Sequence, residues 1–175
     1  MANISENTIS VYVTSKDTGQ KVEQVNLSHL LTTKSIESST IKLNKNETRQ
    51  EILGFGGAFT EAAASVYHKL DTEKKEEIIQ AYFGANGNGY TMGRTHINSC
   101  DFSLGNYTYC DIPGNIELKD FSISRDKKML TPFIKDAIEK AKTPIQIMAS
   151  PWSPPAWMKT NGQMNHGGKL KEEFR

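Results

Sequence analysis

The chain has 175 residues, enough for one ordinary domain and short for a large barrel. Hydrophobic residues make up 37% and charged residues 23%, a soluble globular balance, and no apolar run approaches the roughly 20 residues of a membrane span. Lysine and arginine number 21 against 20 aspartates and glutamates, all scattered, which excludes an electrostatic footprint for nucleic acid or anionic lipid and points to a neutral partner.

The start, MANISENTIS, has neither a basic n-region nor an apolar h-region, so no secretory signal is expected in this stretch. The compartment stays open between the cytoplasm and export with a leader removed. Ile9, Val11 and Val13 share one face of "TISVYVTS", Lys16-Asp17-Thr18-Gly19 is a turn signal, and "KVEQVNL" follows. With "STIKLN" these predict antiparallel strands over the first 45 residues.

After Arg49 the pattern changes. "EILGFGG" reads as a short strand ending in glycines, and "TEAAASVYHKL" as a helix with Thr60 as N-cap. "DTEKKEEIIQAYF" is a second helix, acidic at its start and closed by "GANGNG". "YTMGRTHINS" is extended. "MLTPFIKDAIEKAK" predicts a helix with Thr131 as N-cap, Pro132 first in the helix, and apolar residues at helical spacing. "TPIQIMAS" is the next strand. The order β, α, α, β, long loop, α, β is the alternation that builds parallel sheets.

Parallel strands covered on both faces read as nearly continuous Val, Ile and Leu. "YTMGRTHINSCDF" instead places Arg94, His96 and Asn98 on one face by the two-residue period. A buried arginine needs partners, so that face is expected to line a polar cavity; an edge strand with a solvated face is the plainer alternative.

The glycines of "LGFGGAF" approach a dinucleotide fingerprint, but its third glycine position is Phe59 and no acidic residue ends a second strand about 20 residues on. A tight turn with close backbone approach is the better reading, and no cofactor is expected. His29, His68 and His166 have no metal-ligand spacing, and no Gly-x-Ser-x-Gly elbow supports a nucleophilic serine, so no metal or triad is expected. Cys100 and Cys110 are too few for a disulfide scaffold or a four-ligand zinc site and are expected as free thiols. Asn-x-Ser/Thr sequons, among them those at Asn26, Asn46 and Asn106, arise by chance in so asparagine-rich a chain, and nothing is drawn from them.

Two features suit a neutral sugar. In parallel βα architectures ligands lie beyond the C-terminal ends of the strands, where Asp101 and Trp152 would point into one mouth. The carboxylate can accept from adjacent hydroxyls, at about 1.5–3 kcal/mol per charge-assisted bond, and the indole can cover the apolar ring face. The competing role for Asp101 is a turn or helix cap. "PWSPPAW" holds both tryptophans and three of the six prolines, and Trp157 is expected to pack that corner rather than meet a ligand.

Three stretches, "GFGGAFTEAAA", "GRTHINSCDFSLGNYTYCD" and "ASPWSPPAWMKTNG", together resemble the glucosylceramidase-like enzymes of glycoside hydrolase family 30. The resemblance runs from about residue 50 to the C-terminus, and "GRTHINSCDFS" looks nearer to bacterial members than to the animal lysosomal enzyme, which has proline at the His96 position. It implies an α/β fold, a (β/α)8 TIM barrel with its first three βα units present, and an attached β-sandwich side domain. Residues 1–48 would be N-terminal strands of the side domain and 49–175 the first part of the barrel. By resemblance Arg94, Asp101, Phe102 and Trp152 match the sugar-binding subsite, with Asp101 and Trp152 the most secure.

The implied activity is retaining hydrolysis of β-glucosides such as glucosylceramide, or of a β-1,6-linked glucan. Such chemistry uses two carboxyl groups about 5–5.5 Å apart, which in the family are glutamates on the fourth and seventh barrel strands. Neither is expected in this chain; both would lie C-terminal to Arg175. Glu172 and Glu173 are expected to be solvated and Glu61 to be structural. The implied partners are a β-glucoside or glycolipid substrate and the remaining C-terminal part of the barrel. The alternative from another class is an inactive fragment or non-catalytic carbohydrate-binding protein that keeps Asp101 and Trp152 without the glutamates.

Overall fold

The computed structural model describes residues 10–26 and 44–175. The chain divides into two compact units, Met1–Gln50 and Glu51–Arg175. In the first, β1 (Val11–Val13) pairs antiparallel with β2 (Glu23–Val25), with Tyr12 opposite Gln24. The predicted turn between them is formed with Asp17 and Gly19 at positive φ, conformations that aspartate and glycine tolerate. Ile9 and nearly all of the "STIKLN" strand lie outside the described residues.

The second unit is a three-stranded parallel sheet in the order β3-β4-β5, built from β3 (Gly56–Phe59), β4 (Met92–Ile97) and β5 (Gln146–Pro151). Gly56 stands opposite Met92, and Met92 opposite Gln146. The glycines expected to form a turn after the first strand lie partly within it. A Cβ at Gly56 would sit 1.7 Å from the Met92 carbonyl oxygen, so the expected close approach occurs between strands.

Between β3 and β4 run α1 (Glu61–Lys69) and α2 (Thr72–Phe83). Thr60 caps α1 as predicted, accepting from the Ala63 amide, and Asp71 caps α2 by accepting from Lys74. Before β5 the chain forms α3 (Ser124–Lys128) and α4 (Leu130–Lys140). Thr131 is not the predicted N-cap, and Pro132 is not the first helical residue. The chain passes from α3 into α4 through Met129, whose amide bonds back to the Arg125 and Asp126 carbonyls. Pro132 still falls in the first turn, where a missing N–H costs no helical bond.

Apolar residues at helical spacing join Phe59 of β3, so that Phe59, Ala64, Tyr67, Ile79, Phe83, Leu130 and Ala137 form one core between the helices and one sheet face. Phe59 stacks on Phe83 at 5.6 Å between ring centroids and meets Phe133 edge-on at 5.2 Å. Gly93 leaves room for this packing, since a Cβ there would lie 2.5 Å from the Phe59 ring. The opposite sheet face is open: Arg94 and Met148 are exposed, and among the described residues neither β3 nor β5 has a strand on its outer edge.

Candidate sugar-binding site

The chemistry-bearing residues gather beyond the C-terminal ends of β4 and β5. The β4 alternation ends at Asn98, whose φ of 62° turns the chain out of the sheet. Arg94 is exposed, not buried as the expected polar cavity required. It lies on the open face, where its Nε donates to Ser150 Oγ at 2.9 Å and its guanidinium stands 5.2 Å from the Trp152 ring centroid. His96 is buried instead, with Nδ1 2.6 Å from the Asn98 carbonyl. Arg94 and His96 share the sheet face that the two-residue period gives them, opposite Met148 and Ser150, and differ in cover: Tyr107 packs over His96, while Arg94 is left open. Asn98, at its positive φ, has already left the strand.

Asp101 and Trp152 come together. They line one recess of about 300 Å³ with Ser99, Cys100, Asn106, Ser153, Met164 and Asn165. Asp101 is exposed, and among the described residues nothing hydrogen-bonds to its carboxylate, so the capping alternative has no support. Trp152 is 47% exposed, with its ring steadied by Arg94. Phe102 is not in the recess wall; its side chain is 60% exposed, while its carbonyl accepts from the Ala62 amide. Trp157 packs as expected, donating from Nε1 to the Cys110 carbonyl and meeting Phe174 edge-on at 5.0 Å.

Buried groups hold the Asp101 loop. Glu61, only 2% exposed, accepts from Arg125 Nε at 2.5 Å and from the Leu104 amide at 2.8 Å. Burial alone would raise its carboxyl pKa, but these donors and the Arg125 charge outweigh it and hold the value below the ordinary carboxylate range. Arg125 also lies 4.2 Å over the Tyr107 ring. Tyr107 and Tyr109 both donate to the Asp126 carboxylate; burial and that hydrogen bond push both phenols above their ordinary range, so they stay neutral donors. These tyrosines anchor the loop rather than face a ligand.

The other wall is fixed through the Met164 carbonyl, which accepts from Ser153 Oγ at 2.5 Å and from the nearly buried Lys159 ammonium at 2.8 Å. Asn161 holds the same turn by donating to the Asn165, His166 and Gly167 carbonyls. Sequence reading gave Asn106 only as a sequon and did not single out Met164 or Asn165. "TNGQMNHGG" is rich in turn residues, but nothing in its spacing says which carbonyl or amide will face the recess.

The recess offers one carboxylate, one indole and neutral amides. Such a set can accept from sugar hydroxyls and cover a ring face. Among the described residues no cluster of histidine, cysteine or acidic side chains is arranged to hold a metal ion, and Cys100 and Cys110 are unpaired thiols. His29 lies outside the described residues. His68 meets the Met129 carbonyl through Nε2, and His166 sits exposed at positive φ. Glu172 and Glu173 are in a short solvent-facing turn, with Glu172 paired to Arg175.

Parallel βα units with polar side chains beyond the strand ends define an α/β protein, an arrangement that TIM barrels share with doubly wound sheets. The family model for the glycosyl hydrolase family 30 TIM-barrel domain matches residues 52–174, and the chain belongs to that family. Putative glucosylceramidase 3 of Caenorhabditis elegans is 40% identical, over 100% of this chain and 34% of its own length. Mouse lysosomal acid glucosylceramidase is 39% identical, over 75% of the chain and 26% of its own length. Among solved structures, SrfJ from Salmonella typhimurium superposes with a TM-score of 0.67 at 47% identity, over 71% of this chain and 28% of that one. An endo-β1,6-glucanase superposes with a TM-score of 0.69 at 26% identity, over 94% of this chain and 36% of that one. The chain thus spans about a third or less of the length of the curated relatives just named.

Proposed function

We propose that the chain is the N-terminal portion of a retaining β-glycosidase and supplies part of the wall that binds the sugar to be released. Asp101 accepts from its hydroxyls, Trp152 covers its ring face, Arg94 holds the indole, and Phe102 closes the rim once the rest of the barrel is present. The catalytic glutamates follow Arg175 in the longer polypeptide. One acts as nucleophile and the other as acid/base, in a double displacement. Residues 1–48 are strands of the β-sandwich side domain and 49–175 begin the barrel.

The observation that carries this proposal is the shared recess of Asp101 and Trp152 beyond parallel β4 and β5. Relatives named as glucosylceramidases and endo-1,6-β-glucanases support a β-glucoside as substrate, either glucosylceramide or a β-1,6-glucan. A likeness of the chain to bacterial members of the family draws support from its 47% identity to SrfJ from Salmonella typhimurium. In the full-length polypeptide, Asp101→Asn is expected to lower kcat/KM on an aryl β-glucoside by about ten- to a hundredfold, the worth of one charge-assisted bond. An unchanged kcat/KM would remove Asp101 from the subsite.

The second reading, a carbohydrate-binding protein without hydrolysis, is favoured by the single carboxylate lining the recess. Sugar binding by the full-length polypeptide with no turnover of an aryl β-glucoside, glucosylceramide or β-1,6-glucan would decide for it.

A further inference from the structure

The loops that carry Asp101 and Trp152 leave different strands, yet one side chain spans both. Asn98 directly follows β4; its Nδ2 donates to the Ser153 carbonyl at 3.1 Å, and its Oδ1 accepts from the Tyr109 amide at 2.9 Å. Ser153 directly follows Trp152. Tyr109 closes the loop that begins at Asp101 and is itself tied to Asp126. The Asn98 backbone is held in place as well, since its carbonyl faces Nδ1 of buried His96 at 2.6 Å.

The conformation suits the residue type. At a φ of 62° most side chains are strained, whereas asparagine enters this region readily. A neutral primary amide carries an NH2 donor group and a carbonyl acceptor in the same plane, which is what a carbonyl on one loop and an amide N–H on the other require. Glycine would suit the backbone but bridge nothing. Aspartate could keep the bond from Tyr109 but would set its carboxylate against the Ser153 carbonyl.

We propose that Asn98 is a positioning residue that fixes the distance between Asp101 and Trp152, so that carboxylate and indole meet one sugar ring together. This rests on the proposed sugar-binding role of the recess. Asn98 need not touch the sugar; it acts through the two loops.

The test uses the full-length polypeptide with Asn98→Gly, which leaves the backbone unstrained, and Asn98→Asp, which keeps one of the two bonds. On p-nitrophenyl β-glucoside the glycine variant is expected to lose about tenfold in kcat/KM, mainly through a raised KM, and the aspartate variant to lose less. A defect confined to folding would lower the active fraction, and so kcat, with KM unchanged; that pattern, or unchanged kinetics, overturns the proposal. Hydrogen exchange gives the second readout. In the glycine variant, segments 99–110 and 152–165 should exchange faster while α1 and α2 keep wild-type protection. Wild-type protection in both loops overturns the clamp whatever the kinetics. If the wild-type polypeptide turns over no β-glucoside, the glycosidase proposal fails, and the exchange pattern alone decides whether Asn98 joins the loops.

Discussion

Trp152 and Trp157 lie five residues apart and do different work. Trp157 has its indole N–H bonded to Cys110 and its ring against Phe174, whereas Trp152 is 47% exposed, beside Asp101 and under Arg94. Loss of an exposed ring costs little stability, so Trp152→Ala in the full-length polypeptide should lower unfolding free energy by less than about 1 kcal/mol. Turnover of an aryl β-glucoside should fall about tenfold or more, because the ring loses its apolar platform. Urea unfolding and steady-state kinetics on one preparation check both; matched losses would make Trp152 a packing residue. At this scale the sequence was readable where residue type alone selects a role. A carboxylate and an indole beyond strand ends suggest a sugar, but the wrong burial expected for Arg94 came from assuming that both sheet faces were covered. The bridging role of Asn98 escaped because its left-handed turn is invisible in a two-residue period, which sets it on the face of Arg94 and His96.

The helix starts were legible because capping is local: Thr60 and Asp71 bond to amides three residues on. The short helix α3 was not, since no side-chain cap marks its start. What fixes α3 is distant in sequence. Arg125 reaches Glu61 across 64 positions, and Asp126 receives Tyr107 and Tyr109. That pair ties α1, α3 and the Asp101 loop together, and its pH dependence follows from the lowered carboxyl pKa of Glu61. A carboxyl whose folded value lies below its unfolded value stabilises the fold above the unfolded value, and the contribution disappears as pH falls through the folded one. Glu61→Gln should therefore destabilise the full-length polypeptide by about 2 kcal/mol at neutral pH, less than for a fully buried pair because Arg125 is 39% exposed. The gap between wild type and variant should close as pH falls below the ordinary carboxylate value of 4.5. Urea unfolding across that range checks it; a gap that widens on acidification would mean that Glu61 is held protonated.

The alternation of strands and helices made the parallel sheet legible, because each crossover needs a helix and returns the chain beside the previous strand. Periodicity could not reveal that, among the described residues, the three strands stand with both edges open, or that Met148 faces outward at 58% exposure. Open edges and uncovered apolar side chains are association hazards for a free chain. In the proposed barrel, further strands cover them and bring the carboxylate pair to the recess of Asp101 and Trp152. The most direct test is turnover of an aryl β-glucoside by the isolated 175-residue chain, measured beside the full-length polypeptide. Hydrolysis by the full-length polypeptide alone is the expected result. Clear turnover by the isolated chain that disappears when a residue within it is mutated would contradict the placement of the catalytic pair beyond Arg175.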